Sequence, residues 1–567
     1  MWALPSAWLL PNHHLPWATA WQDGLSLLAV AAVALLLRSP LRPPPVWLAF
    51  GALALGTLAL QWVLGVLSYA GDAWMVLLYV AAFVLATGLG RAGGADRWAA
   101  MPGGPRGSTL TASFCLALAI AALVSGFIAL LQWLQQPLLG VWMIALPPGG
   151  RPFGNFGQPN HLSSAAVLGF GALLWLHQSR RLPSAGLWAG GVALLAVVVM
   201  TGSRTGLLQV ALMLLAAAVL RSRWELRLRR REALGFLLVT VALTLLWPVL
   251  NAALTLDNAR PVEQLASESV RWPAWLLFLR AVGEAPWLGH GWLQVASAQW
   301  SVALETPPIY RLFEHSHNLA VDFLVWAGVP AGGLLMLLVL LGLVGPDPRR
   351  ISADSFWLRA MVAALLVHGL LEYPLEHAYF LLPAGLLLGF AHGIEEARPR
   401  LGADERAAPR FQGMALSGLA LAVATGVTAA DYIRAEVDHR AFRMESTRIG
   451  GAAAAARTEP LDLRVLDQLE AFLAFARTEA RAGMSSNELE SITRIAQRYP
   501  IPPAMLRLAL AQGLNGRPEA AADTLARLCR MHDPLRCDEG RESWAVVQSV
   551  HPSLMAVPYP ATPTRAR

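Results

Sequence analysis

The sequence contains no lysine; all 44 basic residues are arginine, so any anion it binds must be met by guanidinium groups. Charge is scarce as well. Only 14% of the 567 residues are charged, whereas a soluble domain carries roughly 25%. With 56% hydrophobic residues and a mean hydropathy of +0.47, the chain falls outside the soluble class. The net charge of +7 does not indicate nucleic acid, because in membrane proteins arginine collects in cytoplasmic loops. Cysteine is limited to three residues. Cys115 falls inside an apolar run, while Cys529 and Cys537 are eight apart in a polar stretch without metal-ligand partners. That pair reads either as a disulfide, which requires an oxidising compartment, or as two free thiols. The N-terminus lacks the basic segment that opens a cleavable signal peptide.

Apolar stretches dominate what is present. Runs of spanning length lie near 22–38, 45–68, 73–90, 109–134, 162–178 and 185–200, then near 205–220, 234–254, 318–344, 354–372, 377–394 and 413–430. They predict an all-α, polytopic membrane helix bundle of about twelve transmembrane helices. Twenty-two tryptophans suit a protein with two lipid interfaces. The connections alternate in charge. Arg38 and Arg42, then Arg91, Arg97 and Arg106, then Arg180 and Arg181, mark one side. The "RSRWELRLRRRE" cluster from Arg221, Arg349 and Arg350, and Arg398 to Arg410 continue it. The segments 135–161 and 255–317, "TGSRTG" and "EYPLEH" are poor in arginine. The positive-inside rule places the first set in the cytoplasm and the second outside.

This topology divides the chain into a transmembrane catalytic domain, 1–430, with outward loops 135–161 and 255–317, and a C-terminal region, 431–567, outside the membrane. In that region "LRVLDQLEAFLAFARTEARAG" and "AMLRLALAQGLNGRPEAAADTLARLCRM" carry apolar residues at helical spacing. The second stretch is similar to a tetratricopeptide helix–turn–helix, so a helical domain is expected.

Four polar motifs share the outward face. "RPFGNFGQPNHLSS" starts at Arg151, where Gly154, Gly157 and Pro159 make a tight loop presenting Gln158, Asn160 and His161. A re-entrant turn whose amides satisfy its own backbone is the alternative. "TGSRTG" sets Arg204 at the outer start of a helix, against the positive-inside rule and with no carboxylate nearby in sequence; an external anion accounts for it. Arg271 in "ESVRWPAW" is similar but has Glu268 within reach, or room to snorkel. "EHSHN" supplies His315, His317 and Asn318, and imidazole is suited to take a proton from a hydroxyl near neutral pH. "EYPLEH" adds Glu372, Tyr373, Glu376 and His377. A single polar residue at a membrane helix end is often just solvated; four motifs on one face are harder to dismiss. With no HExxH, no DxD and no dense carboxylate cluster, a dedicated metal site is not expected. Together the groups suit a diphosphate held by arginines beside a base that activates a hydroxyl. A transporter or flippase would instead distribute polar residues through the span and show a two-halves repeat.

"GNFGQPNHLSS", "TGSRTG", "HSHN" with its "GVPAGG" helix, and "LLEYPL" together resemble the bacterial O-antigen ligase and polymerase superfamily. Within it the chain is most similar to protein O-oligosaccharyltransferases of the pilin-glycosylating type, over nearly its whole length. The resemblance implies a glycosyltransferase in the bacterial inner membrane, with its active site and C-terminal domain facing the periplasm. It implies transfer of a preassembled glycan from undecaprenyl-diphosphate to Ser/Thr hydroxyls of periplasmic or pilin-like proteins, without metal or other cofactor. The family's histidine maps to His317, with Asn318 orienting it, and the tyrosine of the "EYP" turn to Tyr373. The outer-face arginines map to Arg204 and Arg271 and the loop glutamine to Gln158; Arg151, Asn160 and His161 complete the expected donor-binding set. Gly328 and Gly332 are spaced GxxxG, where the ligases have GxxG. O-antigen ligation to lipid A-core, or O-antigen polymerisation, would use the same chemistry on another acceptor.

Overall fold

The computed structural model describes residues 1–36, 42–95, 109–254, 270–345, 347–397, 413–447 and 461–561. Arg38, Arg97, Arg106, Glu268 and the arginines from Arg398 to Arg410 lie outside the described residues. Within them the chain is helical and has no strand. Each of the twelve apolar runs coincides with a helix. Eight helices are long and apolar enough to cross a membrane, and Ala20–Leu36 and Ser184–Met200 are shorter apolar helices.

Local sequence sets many helix ends. Pro159 occupies the first position of Pro159–Gln178, where its missing N–H costs nothing. Ser203 caps Arg204–Trp224 by accepting the Gly206 N–H at 3.1 Å. Two helices depart from expectation. The Leu319–Val344 helix is interrupted at Gly328, whose backbone (φ 76°, ψ 174°) is not helical, so the segment after "HSHN" is not one continuous span. Gly413–Thr447 is a single helix of 35 residues that runs past the expected end of its apolar run.

The contacts divide the chain into two compact units. One comprises Met1–Ala52, Leu78–Glu268 and Leu337–Ala429; the other comprises Leu53–Leu77, Ser269–Met336 and Ala430–Arg567.

In the first unit Pro159–Gln178 is a central helix, packed by Thr109–Trp133, Ser184–Met200 and Ala353–Gly369. Ala378–Glu396 is nearly all buried as well, whereas Arg230–Ala253 exposes most of its surface. The Ala70–Gly94 and Ala378–Glu396 helices cross backbone to backbone. A Cβ on Gly90 would sit 2.3 Å from the Leu386 carbonyl oxygen, and one on Gly389 2.2 Å from that of Thr87. A bidentate ion pair, Arg359 to Glu395 at 2.8 and 3.0 Å, is buried in the same unit; Arg359 also donates to the carbonyls of Gly342 and Leu343.

In the second unit the helices Asp467–Arg477, Ser486–Arg498, Pro502–Leu514, Pro518–Met531 and Pro534–Val550 enclose an apolar core that includes Leu489, Ile492, Met505, Leu508 and Leu528. Trp300 and Ala303, from the 255–317 segment, belong to that core too. Cys529 and Cys537, both buried within that core, are joined in a disulfide.

Candidate functional site

Three of the four motifs meet in the first unit. The 151–161 loop is built on partners remote in sequence. Gln132, 2% exposed in the Thr109–Trp133 helix, makes four hydrogen bonds. Its Oε1 accepts from the Phe153 and Gly154 N–H groups at 3.0 and 2.8 Å, and its Nε2 donates to the Ile144 and Gly154 carbonyls at 2.9 and 2.6 Å. Asn155 does comparable work on the other side. Its side chain donates to the Leu9 and Trp142 carbonyls and accepts from the Ile144 N–H, while its own carbonyl meets His13 Nε2 at 2.8 Å. Burial holds the His13 pKa below its ordinary value, against the pull of that carbonyl. Gly154 and Gly157 adopt left-handed backbone (φ 60° and 70°), which the tight loop requires.

Bonds from this loop reach the other two motifs. The Arg151 guanidinium donates to the Thr201 and Gly202 carbonyls at 3.2 Å, and so fixes "TGSRTG". Arg204 heads its helix, half-buried. Asn160 Nδ2 donates to Glu372 Oε1 of "EYPLEH" at 3.3 Å. His161 points into the bundle and is 3% exposed. Its Nδ1 lies 3.0 Å from the Tyr379 hydroxyl, and its ring stands edge-on to His377, His368 and Tyr373 at 4.9, 5.7 and 6.0 Å. Sequence position set His161 at the mouth of a helix; packing puts it beneath the loop. Gln158 is half-buried at the N-terminal boundary of its helix, with Oε1 shielded and not hydrogen-bonded.

Residues that sequence reasoning did not single out hold the "EYPLEH" turn. Asp23 is 1% exposed in the Ala20–Leu36 helix; its Oδ1 accepts from the Ala378 N–H at 2.7 Å, capping the helix after the turn. Its Oδ2 accepts from Thr19 at 2.6 Å, and Thr19 in turn lies 3.4 Å from His377 Nδ1. A carboxylate in the first turn of an apolar helix was the available signal.

The "HSHN" motif belongs to the second unit. His317 has φ 58°, left-handed for a residue that is not glycine. Its ring stands edge-on to Phe313 at 5.7 Å. Asn318 Oδ1 accepts from the Ala320 and Val321 N–H groups at 3.0 and 3.4 Å, so this side chain caps the helix that follows. His315 is half-buried. Upstream, the loop is gripped by the C-terminal helices. Arg530, next to Cys529, donates to the Ala303 and Thr306 carbonyls, Arg527 donates to that of Trp300, and the Tyr310 N–H donates to the Arg530 carbonyl. Arg271 opens the Arg271–Glu284 helix, half-buried. Among the described residues no group of three or more His, Cys, Asp or Glu is arranged to hold a metal ion.

Comparison with known proteins agrees with the motifs. Residues 189–338 match the family described as O-antigen ligase, residues 356–534 the C-terminal family of virulence factor membrane-bound polymerases, and residues 152–177 a protein glycosylation ligase family. The chain is 27% identical over 550 residues to a general O-oligosaccharyltransferase of Acinetobacter baylyi, covering 93% of this chain and 90% of that protein. It is 29% identical over 243 residues to a ComP-specific O-oligosaccharyltransferase of the same organism, covering 42% of this chain and 44% of that one.

Proposed function

We propose that this chain, a membrane glycosyltransferase of the O-antigen ligase-like superfamily, transfers a preassembled oligosaccharide from undecaprenyl-diphosphate to Ser/Thr hydroxyls of periplasmic or pilin-like proteins. The observation that carries the protein acceptor is the similarity along 93% of the chain to an enzyme named for O-linked oligosaccharide transfer. The enzyme lies in the inner membrane, and its arginine-poor loops and C-terminal helices face the periplasm.

The reaction is a displacement at the anomeric carbon of the lipid-linked sugar. The acceptor oxygen forms the new bond as the bond to the diphosphate oxygen breaks, and undecaprenyl-diphosphate leaves with the electron pair. Direct attack inverts the anomeric configuration. His317 takes the hydroxyl proton, a step that contributes on the order of 10²–10⁴-fold. Arg204 and Arg271 stabilise the leaving diphosphate. Each stands on the first residue of its helix, where the helix dipole also favours an anion. Gln158 and Tyr373 hydrogen-bond the donor. Arg151, Asn160 and His161 hold the donor loop through the bonds they already make.

The test supplies the full chain in membranes with undecaprenyl-diphosphate oligosaccharide and either a Ser/Thr acceptor peptide or lipid A-core. A mass shift on the peptide, matched by loss of the lipid-linked glycan, is expected. Transfer to lipid A-core alone, or glycan elongation on the carrier, would favour the ligase or polymerase reading that two of the family matches support. His317→Ala is expected to abolish transfer in protein that still inserts. Arg204→Lys keeps the charge but loses the planar fork, and is expected to weaken donor binding.

A further inference from the structure

We infer that Asp322 is a positioning residue for His317, acting through the backbone on the N-terminal side of that histidine; this rests on the proposed role of His317. The Leu319–Val344 helix already has its cap in Asn318, whose Oδ1 serves the Ala320 and Val321 amides. The helix start therefore does not call for a second acceptor in its first turn. Asp322 nevertheless is a carboxylic side chain with 1% exposure, and its Oδ1 accepts the Ser316 N–H at 2.8 Å. That bond reaches two residues beyond the cap, to the amide of the residue immediately before His317. Ser316 is itself fully buried, and its Oγ donates to the Asn318 carbonyl at 3.0 Å. The same carbonyl receives the Asp322 N–H at 2.9 Å.

Both neighbours of His317 are thus pinned to one another and to Asp322, while His317 between them takes the left-handed conformation that side chains other than glycine rarely adopt. An unusual backbone angle persists only where its surroundings over-determine it. Because φ sets the direction of the Cα–Cβ bond, this ring of bonds aims the imidazole. A reacting group displaced by about 1 Å can lose on the order of 10²-fold in rate.

The experiment compares Asp322→Ala, Asp322→Asn, His317→Ala and the double variant His317→Ala/Asp322→Ala. Each full chain is assayed in nanodiscs with undecaprenyl-diphosphate oligosaccharide and a serine peptide. Asp322→Ala is expected to lower kcat on the order of 10²-fold with KM for both substrates nearly unchanged. Asp322→Asn keeps the Oδ1 acceptor and is expected to retain about a third or more of kcat. The double variant is expected to be no slower than His317→Ala, because positioning has no value without the imidazole. Wild-type kcat in Asp322→Ala alongside an inactive His317→Ala overturns the inference and leaves the reading of His317 intact. Should Asp322→Ala fail to fold, folded Asp322→Asn with the rate of His317→Ala overturns it equally. A fully active His317→Ala sinks the reading of the histidine itself, and the inference with it.

Discussion

Asp72 and Arg498 are 426 residues apart in sequence, and their side chains meet in a bidentate ion pair with Nε and Nη2 each 2.9 Å from a carboxylate oxygen. Asp72 is 1% exposed and also accepts from Gln294 Nε2 at 2.9 Å, so one carboxylate joins three separate stretches of the second unit. Burial opposes the charge on Arg498, but Asp72 together with Tyr499 and Glu314 overcomes it and raises the guanidinium pKa above its ordinary value. Breaking such a pair from one side strands a buried charge, at about 3–5 kcal/mol. Arg498→Ala is expected to lower the thermal midpoint of the detergent-solubilised protein sharply. The double variant Asp72→Leu/Arg498→Leu should recover part of that loss, and equal losses in the single and double variants would count against a stranded carboxylate.

Gln132 carries the 151–161 loop on three backbone hydrogen bonds and ties it to Ile144 by a fourth. Gln132→Ala leaves those buried amides and carbonyls unsatisfied, at about 1–3 kcal/mol for each group that finds no water. The variant is expected to insert normally and lose donor binding. Unaltered donor affinity would mean that the loop holds its shape without this side chain.

A Cβ on Gly328 would lie 2.5 Å from the Trp287 backbone, and the residue's φ of 76° is costly for any L side chain. Gly328→Ala should therefore either straighten the Leu319–Val344 helix or destabilise the protein by about 1–3 kcal/mol. Cysteine cross-linking across the break, together with a melting curve, reads both outcomes; a variant indistinguishable from wild type would refute the interruption.

The Cys529–Cys537 disulfide closes a short loop beside Arg530, which grips the chain leading to "HSHN". By loop entropy it contributes about 2–3 kcal/mol. Reductant is expected to lower both thermal stability and transfer rate in the wild type. Neither should change in Cys529→Ser/Cys537→Ser, whose values should match those of the reduced wild type.

His532 is buried with Nε2 2.8 Å from the Pro500 carbonyl, and burial lowers its pKa below 6.5, outweighing that hydrogen bond. The unfolded chain therefore takes up this proton first as pH falls. The stabilising contribution of the neutral ring is whole above about pH 6.5 and is lost progressively as pH drops through the depressed folded value. Melting temperatures measured from about pH 7.5 to about pH 5 should fall less steeply in His532→Gln than in wild type. Parallel curves would remove His532 from the acid response.

The Arg151–Ser164 loop bonds to "TGSRTG" through Arg151 and to "EYPLEH" through Asn160, and the His161 ring packs against Tyr373 and His377 of the latter. The residues that hold them, Gln132, Asn155, Asp23 and Thr19, carry no signal of their partners in the sequence pattern. Gln132, Asn155 and Asp23 act on backbone groups far along the chain or across a turn, and Thr19 bridges Asp23 to the His377 ring; no spacing rule encodes such pairings. His161 illustrates the limit from the other side. Its place after Gln158 and Pro159 located it at a helix start, but only the packing of Ala378–Glu396 turned its ring inward to Tyr379.

By itself the sequence determined that this protein is a bundle of apolar helices, because runs of such length and so few charges leave the backbone no other way to satisfy its hydrogen bonds in lipid. It also marked the arginine-poor loops in which the polar motifs collect, because charge bias between loops is legible without any tertiary contact. Tertiary structure decided which of those side chains turn inward, where the helix after "HSHN" breaks, and how His317 is aimed. Those outcomes depend on partners remote in sequence, Asp23 for the "EYPLEH" turn and Trp287 for Gly328, and on the reach of Asp322 past its own helix cap, which folding alone brings into contact.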